Sequence, residues 1–115
     1  MDQCVLDMTI FKELQETTGA EFVVDLTNSF IEDGPKMLQT LVDAVEKNDA
    51  VAFRRAAHSI KANANTFGAV KLSALARDLE LNGIPEKYDA ATISINSLYQ
   101  AFKDAEKALR AIHHG

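Results

Sequence analysis

A histidine, a lysine and a nearby carboxylate can together handle an anionic electrophile, and residues 56–68 of this 115-residue chain supply the first two. The stretch reads Ala56-Ala57-His58-Ser59-Ile60-Lys61-Ala62-Asn63-Ala64-Asn65-Thr66-Phe67-Gly68. At helical spacing it carries two neighbouring stripes. Phe53, Ala57, Ile60, Ala64 and Phe67 recur at steps of four, three, four and three, an apolar face fit for a core. His58, Lys61, Ala62 and Asn65 fall at i, i+3, i+4 and i+7, about 100° further round the helix. His58 therefore stands at the edge of the buried face, with a cation one turn on and a small residue beside it. An imidazole so placed can be held from behind and reached from in front.

The carboxylate comes from the next helix. Phe67-Gly68-Ala69 reads as a tight turn. If the helices on either side form an antiparallel hairpin, positions equidistant from Ala69 lie level, and His58 and Glu80 each stand eleven residues from it. Glu80 follows the apolar Leu79 as His58 follows Ala57, so both flank a buried stripe. A slip of one residue or one turn is the alternative register. A carboxylate that accepts a hydrogen bond from one ring N–H fixes the tautomer and leaves the other nitrogen a lone pair for nucleophilic attack. Lys61 can neutralise anionic oxygens at the reacting centre. Ala62 leaves room for a partner protein to come close. A phosphoryl group is the electrophile that fits best.

Each residue also has a plainer reading. A lone helical histidine is commonly surface decoration, and Lys61 and Glu80 read equally as solvated charges. Arg54 and Arg55, one turn before His58, either widen a docking surface or are simply solvated. Asn63 and Asn65 are weak helix formers that either cap or solvate. His113 and His114 read as a frayed tail, because adjacent histidines point to different sides of a helix and no third ligand is evident. No phosphate-cradling glycine loop, Cys/His cluster or Ser-His-Asp arrangement can be argued, and Ser59 diverges from His58 on the helix.

The elements that must position these groups read as helices throughout, with only two prolines and five glycines and no alternating strand pattern. Asp7 caps a short first helix carrying Ile10, Phe11 and Leu14 inward and stopping at Gly19. A second helix spans about Glu21 to Lys47 with the stripe Val23, Leu26, Phe30, Met37, Leu41 and Val45. Gly34-Pro35 interrupts it, yet the stripe keeps phase, which favours one kinked helix over a full break at Asp33-Gly34. Asp49 caps a third helix, Ala50 to about Thr66. A fourth runs from Val70 to about Leu81, burying Leu72, Leu75, Ala76 and Leu79, and stops at Asn82-Gly83 before Pro85. The last, capped by Asp89, alternates steps of four and three through Ala91, Ile95, Leu98, Phe102, Ala105, Leu109 and Ile112. The expected architecture is all-α: an antiparallel up-down four-helix bundle with a short additional N-terminal helix, one domain over residues 1–115 with an ordered core of about 7–112.

The bulk properties agree. Apolar residues make up 47% of the chain, enough for one core, and no apolar run is long enough to span a bilayer. No secretory leader is visible, and the single cysteine, Cys4, excludes an intrachain disulfide and a cysteine-rich zinc site. A reducing cytoplasm is the expected setting, and a module cut from a longer membrane protein would read the same. The net charge of −5 argues against nucleic acid as a partner. A monomer is expected, since every long apolar stripe can be spent inside.

Taken together, Ala57-His58-Ser59-Ile60-Lys61-Ala62, then Phe67-Gly68-Ala69 and Leu72, resembles the histidine-containing phosphotransfer (HPt) domain, whose signature is His-x-x-Lys-Gly with a glycine after a further helical stretch. The likeness runs through Leu6-Asp7, Phe22, Leu26, Phe30, Leu38, Leu41, Asp49, Leu75, Leu79 and Glu80. It implies that His58 is the phosphoacceptor, at Nε2, that Lys61 helps neutralise the phosphoryl oxygens, and that Glu80 orients the imidazole. Arg54, Arg55, Ala62 and Asn65 would belong to the docking face. The family usually has glycine at the position of Ala62; alanine is still small, so docking should survive with altered partner preference. The resemblance implies receiver domains of response regulators as partners, and a hybrid sensor histidine kinase as a further one. The partner would bring Mg²⁺, with no intrinsic cofactor and no ATP site in this phosphocarrier. Two other readings stand beside it: a helical module that docks a receiver without transferring phosphate, and a chemotaxis-type domain phosphorylated directly by a kinase core.

Overall fold

Local signals set the helix ends. The Asp7 carboxylate accepts from the backbone N–H groups of Thr9 and Ile10 at 2.9 and 3.4 Å, and the Asp49 carboxylate accepts from that of Ala52 at 3.1 Å. Between these caps and the glycine stops, five α-helices form: α1 (Met8–Thr18), α2 (Ala20–Lys47), α3 (Ala50–Phe67), α4 (Val70–Asn82) and α5 (Tyr88–His114). The computed structural model describes residues 6–84 and 88–114, and in α5 the side chains of 93–112. No strand occurs among the described residues.

The helix boundaries follow the sequence reading to within a residue or two. Helix α2 runs unbroken through Gly34-Pro35. Helix α5 begins at Tyr88, so Asp89 falls inside it instead of before it, and its side chain lies outside the described residues. The side chains of Ala91, His113 and His114 lie outside them too, as does Cys4.

One stripe differs from expectation. Helix α2 buries Val23, Thr27, Phe30, Gly34, Leu38, Leu41 and Ala44, while Leu26, Met37 and Val45 are only half-buried at its edge. The cause lies at Gly34. Its bare Cα faces the ring of Phe102 on α5, and a Cβ there would overlap that ring. The glycine is thus a recess in the core face, with the proline on its solvent side. Phe102 stands edge-on to Phe30 at a centroid distance of 5.2 Å, and Phe30 in turn meets Phe67 at 5.1 Å. Three aromatic rings so connect α2, α3 and α5.

Helix α3 packs against α2 and α4, α5 packs against the same two from the other side, and α1 lies on α2 and α3. Helices α3 and α5 make no close backbone contact. The joint that matters most for the site is Gly68. It ends α3 with a left-handed φ of +76°, and its carbonyl accepts from the Asp7 backbone N–H at 2.6 Å. The same residue turns the chain into α4 and anchors the start of α1.

Candidate functional site

Because α3 and α4 share the turn at Gly68-Ala69, residues on their facing edges come level. Glu80 reaches His58 across 22 residues of sequence: Nδ1 of the ring lies 2.6 Å from Oε2. The other carboxylate oxygen, Oε1, accepts from Nζ of Lys61, also at 2.6 Å. The His58 side chain is 60% exposed, whereas those of Glu80 and Lys61 are only 19% and 25% exposed. The ring is therefore reachable, and the groups that hold it are partly sheltered.

This geometry sets the proton positions. The Glu80 carboxyl is held below its ordinary pKa, first by the hydrogen bond from Lys61 and next by that from His58, against the opposing pull of partial burial. An ionised carboxylate only accepts hydrogen bonds. Nδ1 must therefore carry the ring proton and donate it to Glu80. In the neutral imidazole, Nε2 is then left with its lone pair.

Beside the ring a groove of about 550 Å³ runs between the first turns of α3 and the end of α4, with Val51, Arg54, Arg55, His58, Ser59 and Glu80 in its lining. Arg54 and Arg55 are exposed there. Ala62 and Asn65 are exposed too, but neither lines this groove. Asn65 is tied to α4, where its Oδ1 accepts from the Ser73 hydroxyl. Asn63 turns back on its own helix and donates to the Ser59 carbonyl at 2.8 Å. The methyl group of Ala62 projects at the surface and displaces nothing in the core.

Two residues escape the sequence reading. Ser73 has no distinguishing pattern. Val51 has one: Val51, Arg54, Arg55 and His58 fall at i, i+3, i+4 and i+7, extending the His58 stripe two turns toward the start of α3. Lys61, expected to neutralise anionic oxygens, also holds Glu80, a contact the sequence reading did not include. Among the described residues, no group of three or more His, Cys, Asp or Glu side chains converges as a metal site would, and no helix is long and apolar enough to cross a membrane.

The family model for the Hpt domain matches residues 25–112 of the chain. Among solved structures, the crystal structure of histidine-containing phosphotransfer protein B (HptB) from Pseudomonas aeruginosa PAO1 is similar in fold, with a TM-score of 0.86 and 26% sequence identity over 98% of this chain and 97% of that one. No curated protein matches.

Proposed function

The chain belongs to the Hpt domain family, the histidine phosphotransfer modules of two-component phosphorelays, and from that premise we propose that the phosphoryl group is carried on Nε2 of His58. One observation supports the assignment above the rest: the Glu80 carboxylate lies 2.6 Å from Nδ1 while the ring itself stays largely in solvent. The nitrogen opposite Glu80 keeps its lone pair on a ring that is mostly exposed.

In the step so proposed, a receiver domain bearing an aspartyl phosphate docks over His58. The Nε2 lone pair attacks phosphorus in line, an Nε2–P bond forms, and the P–O bond to the aspartate breaks, returning a free carboxylate. The ring keeps its Nδ1 proton and gains positive character, which the Glu80 carboxylate offsets. Transfer to a second receiver is the reverse. The Lys61 ammonium has three donors and places one on Glu80, so it retains donors for the phosphoryl oxygens. Positioning and charge stabilisation carry most of such a transfer. Arg54, Arg55, Ala62 and Asn65 form the docking face around it. In this reading the Mg²⁺ of the reaction is brought by the receiver, and Glu80, the carboxylate lining the groove, serves His58 and Lys61.

We read α2 to α5 as an antiparallel up-down four-helix bundle with α1 laid on it, acting as a monomer on the cytoplasmic side. The circuit of packing α2–α3–α4–α5–α2 and the short connections before and after α3 support this.

The test is phosphotransfer from a panel of phosphorylated receiver domains to the native chain and to His58→Ala. Acid-labile, base-stable label on the native chain alone is expected. Receiver binding without label on either chain would instead mark a docking module that transfers nothing.

A further inference from the structure

We infer that Val51 is the apolar anchor of the receiver-docking surface, set in a positively charged groove that the partner fills beside His58. The inference rests on the phosphorelay reading above and adds to it a residue and a direction of approach.

The argument begins with exposure. Val51 is 62% exposed on α3. A single exposed valine is ordinary on a protein surface and means little by itself. This one lines the same groove as His58. A second groove, of about 310 Å³ between α2 and α3, shares Arg55 and Ser59 with the first but does not include His58. Arg55 and Ser59 thus form the ridge between the two, and only the groove on the α4 side leads to the ring.

Charge points to the occupant. The chain carries a net −5, yet this groove gathers Arg54 and Arg55, and its one carboxylate is already paired with Lys61 and His58. A surface that presents an aspartyl phosphate is anionic and complements it. Reach agrees as well. Val51 lies seven residues before His58, about 10 Å along the helix axis. A standard interface covers about 800 Å² per partner, so a receiver whose phosphoryl group meets Nε2 also covers Val51. Apolar contacts near the centre of a patch, ringed by charge, carry a large share of binding energy.

The experiment takes the receiver domain that labels the native chain fastest in a panel of purified receivers, and measures its Kd for the native chain and variants by calorimetry. Val51→Asp should weaken binding about 10- to 100-fold and Val51→Ala by a few-fold. The charge-reversed pair Arg54→Glu with Arg55→Glu should weaken it with strong salt dependence. Ile93→Asp is the control, an equally exposed apolar residue (66%) on α5, which does not contact α3. Its Kd should match the native value. An acid in the first turn of α3 suits the helix dipole, so Val51→Asp should fold, as its thermal melt will show. Labelling by phosphoramidate needs no docking: its P–N bond breaks, ammonia leaves, and an Nε2–P bond forms. Ile93→Asp should keep that labelling at the native rate, and Val51→Asp should still be labelled. A Kd for Val51→Asp within twofold of native, or a loss of its phosphoramidate labelling, overturns the assignment of Val51. Receiver-dependent label persisting on His58→Ala would instead overturn the reading beneath it.

Discussion

The carboxylate of Glu80 stands 2.6 Å from Nδ1 of His58, and this contact between two helices decides which nitrogen of the ring is free. The second oxygen of the same carboxylate holds Lys61. One acidic side chain therefore sets the tautomer of the ring and stations the cation beside it. Both effects follow from the register of a single helical hairpin.

Glu80→Ala removes the acceptor for the ring N–H. The imidazole should then populate both tautomers, visible in ¹⁵N spectra as a loss of the Nδ1–H signature, and transfer to His58 should slow by about 10- to 100-fold through lost positioning. Glu80→Gln keeps an acceptor oxygen but not the charge, so its rate should fall between the two. Native rates in Glu80→Ala would separate the contact from the chemistry.

Lys61 is the first cause of the lowered Glu80 pKa, so Lys61→Ala should move that carboxyl back up toward its ordinary value, as read by ¹³C titration. The transfer rate should drop by about two orders of magnitude, as when one charge-stabilising donor is lost at a reacting centre.

The depressed pKa also has a consequence for stability. Over the acidic window between the folded and unfolded pKa values of Glu80, the unfolded chain binds the extra proton, so stability rises with pH there. The contribution is complete above the unfolded value and fades as pH falls through the folded one. Denaturation of the native chain and Glu80→Gln across a pH series should show a constant difference near neutrality that shrinks in acid. A difference that grows in acid would contradict the sign.

Much of this was legible in the chain. Helix ends were readable because Asp7, Asp49 and Gly68 act locally, through caps and a left-handed turn. The level pairing of His58 with Glu80 was readable because a short turn leaves little freedom of register. The core face of α2 past Phe30 was not, because it depends on a ring arriving from α5: periodicity cannot announce that Gly34 is a recess for Phe102. Asp89 was misplaced because a good capping residue is equally tolerated in a first turn. The lining of the groove was half legible. Arg54 and Arg55 stood out by charge, while Val51 looked like any apolar helix residue until the groove showed which side it faced.

Gly34 yields a packing prediction. Gly34→Ala puts a methyl group into the Phe102 ring and should destabilise the fold by about 1–3 kcal/mol, although alanine is the better helix former. Phe102→Leu should cost stability alone yet relieve part of that penalty when combined, giving a favourable coupling in a double-mutant cycle by chemical denaturation. Strict additivity would mean that the ring and the glycine do not meet in solution.

The most direct measurement is ¹H–³¹P correlation on the phosphorylated chain. Nε2 is flanked by two carbon-bound ring protons and Nδ1 by only one. Phosphorus that couples to both ring protons of His58, with Nδ1 still protonated toward Glu80, is the predicted result. Phosphorus coupled to a single ring proton, or located on any other residue, would contradict the assignment of Nε2 of His58 as the carrier.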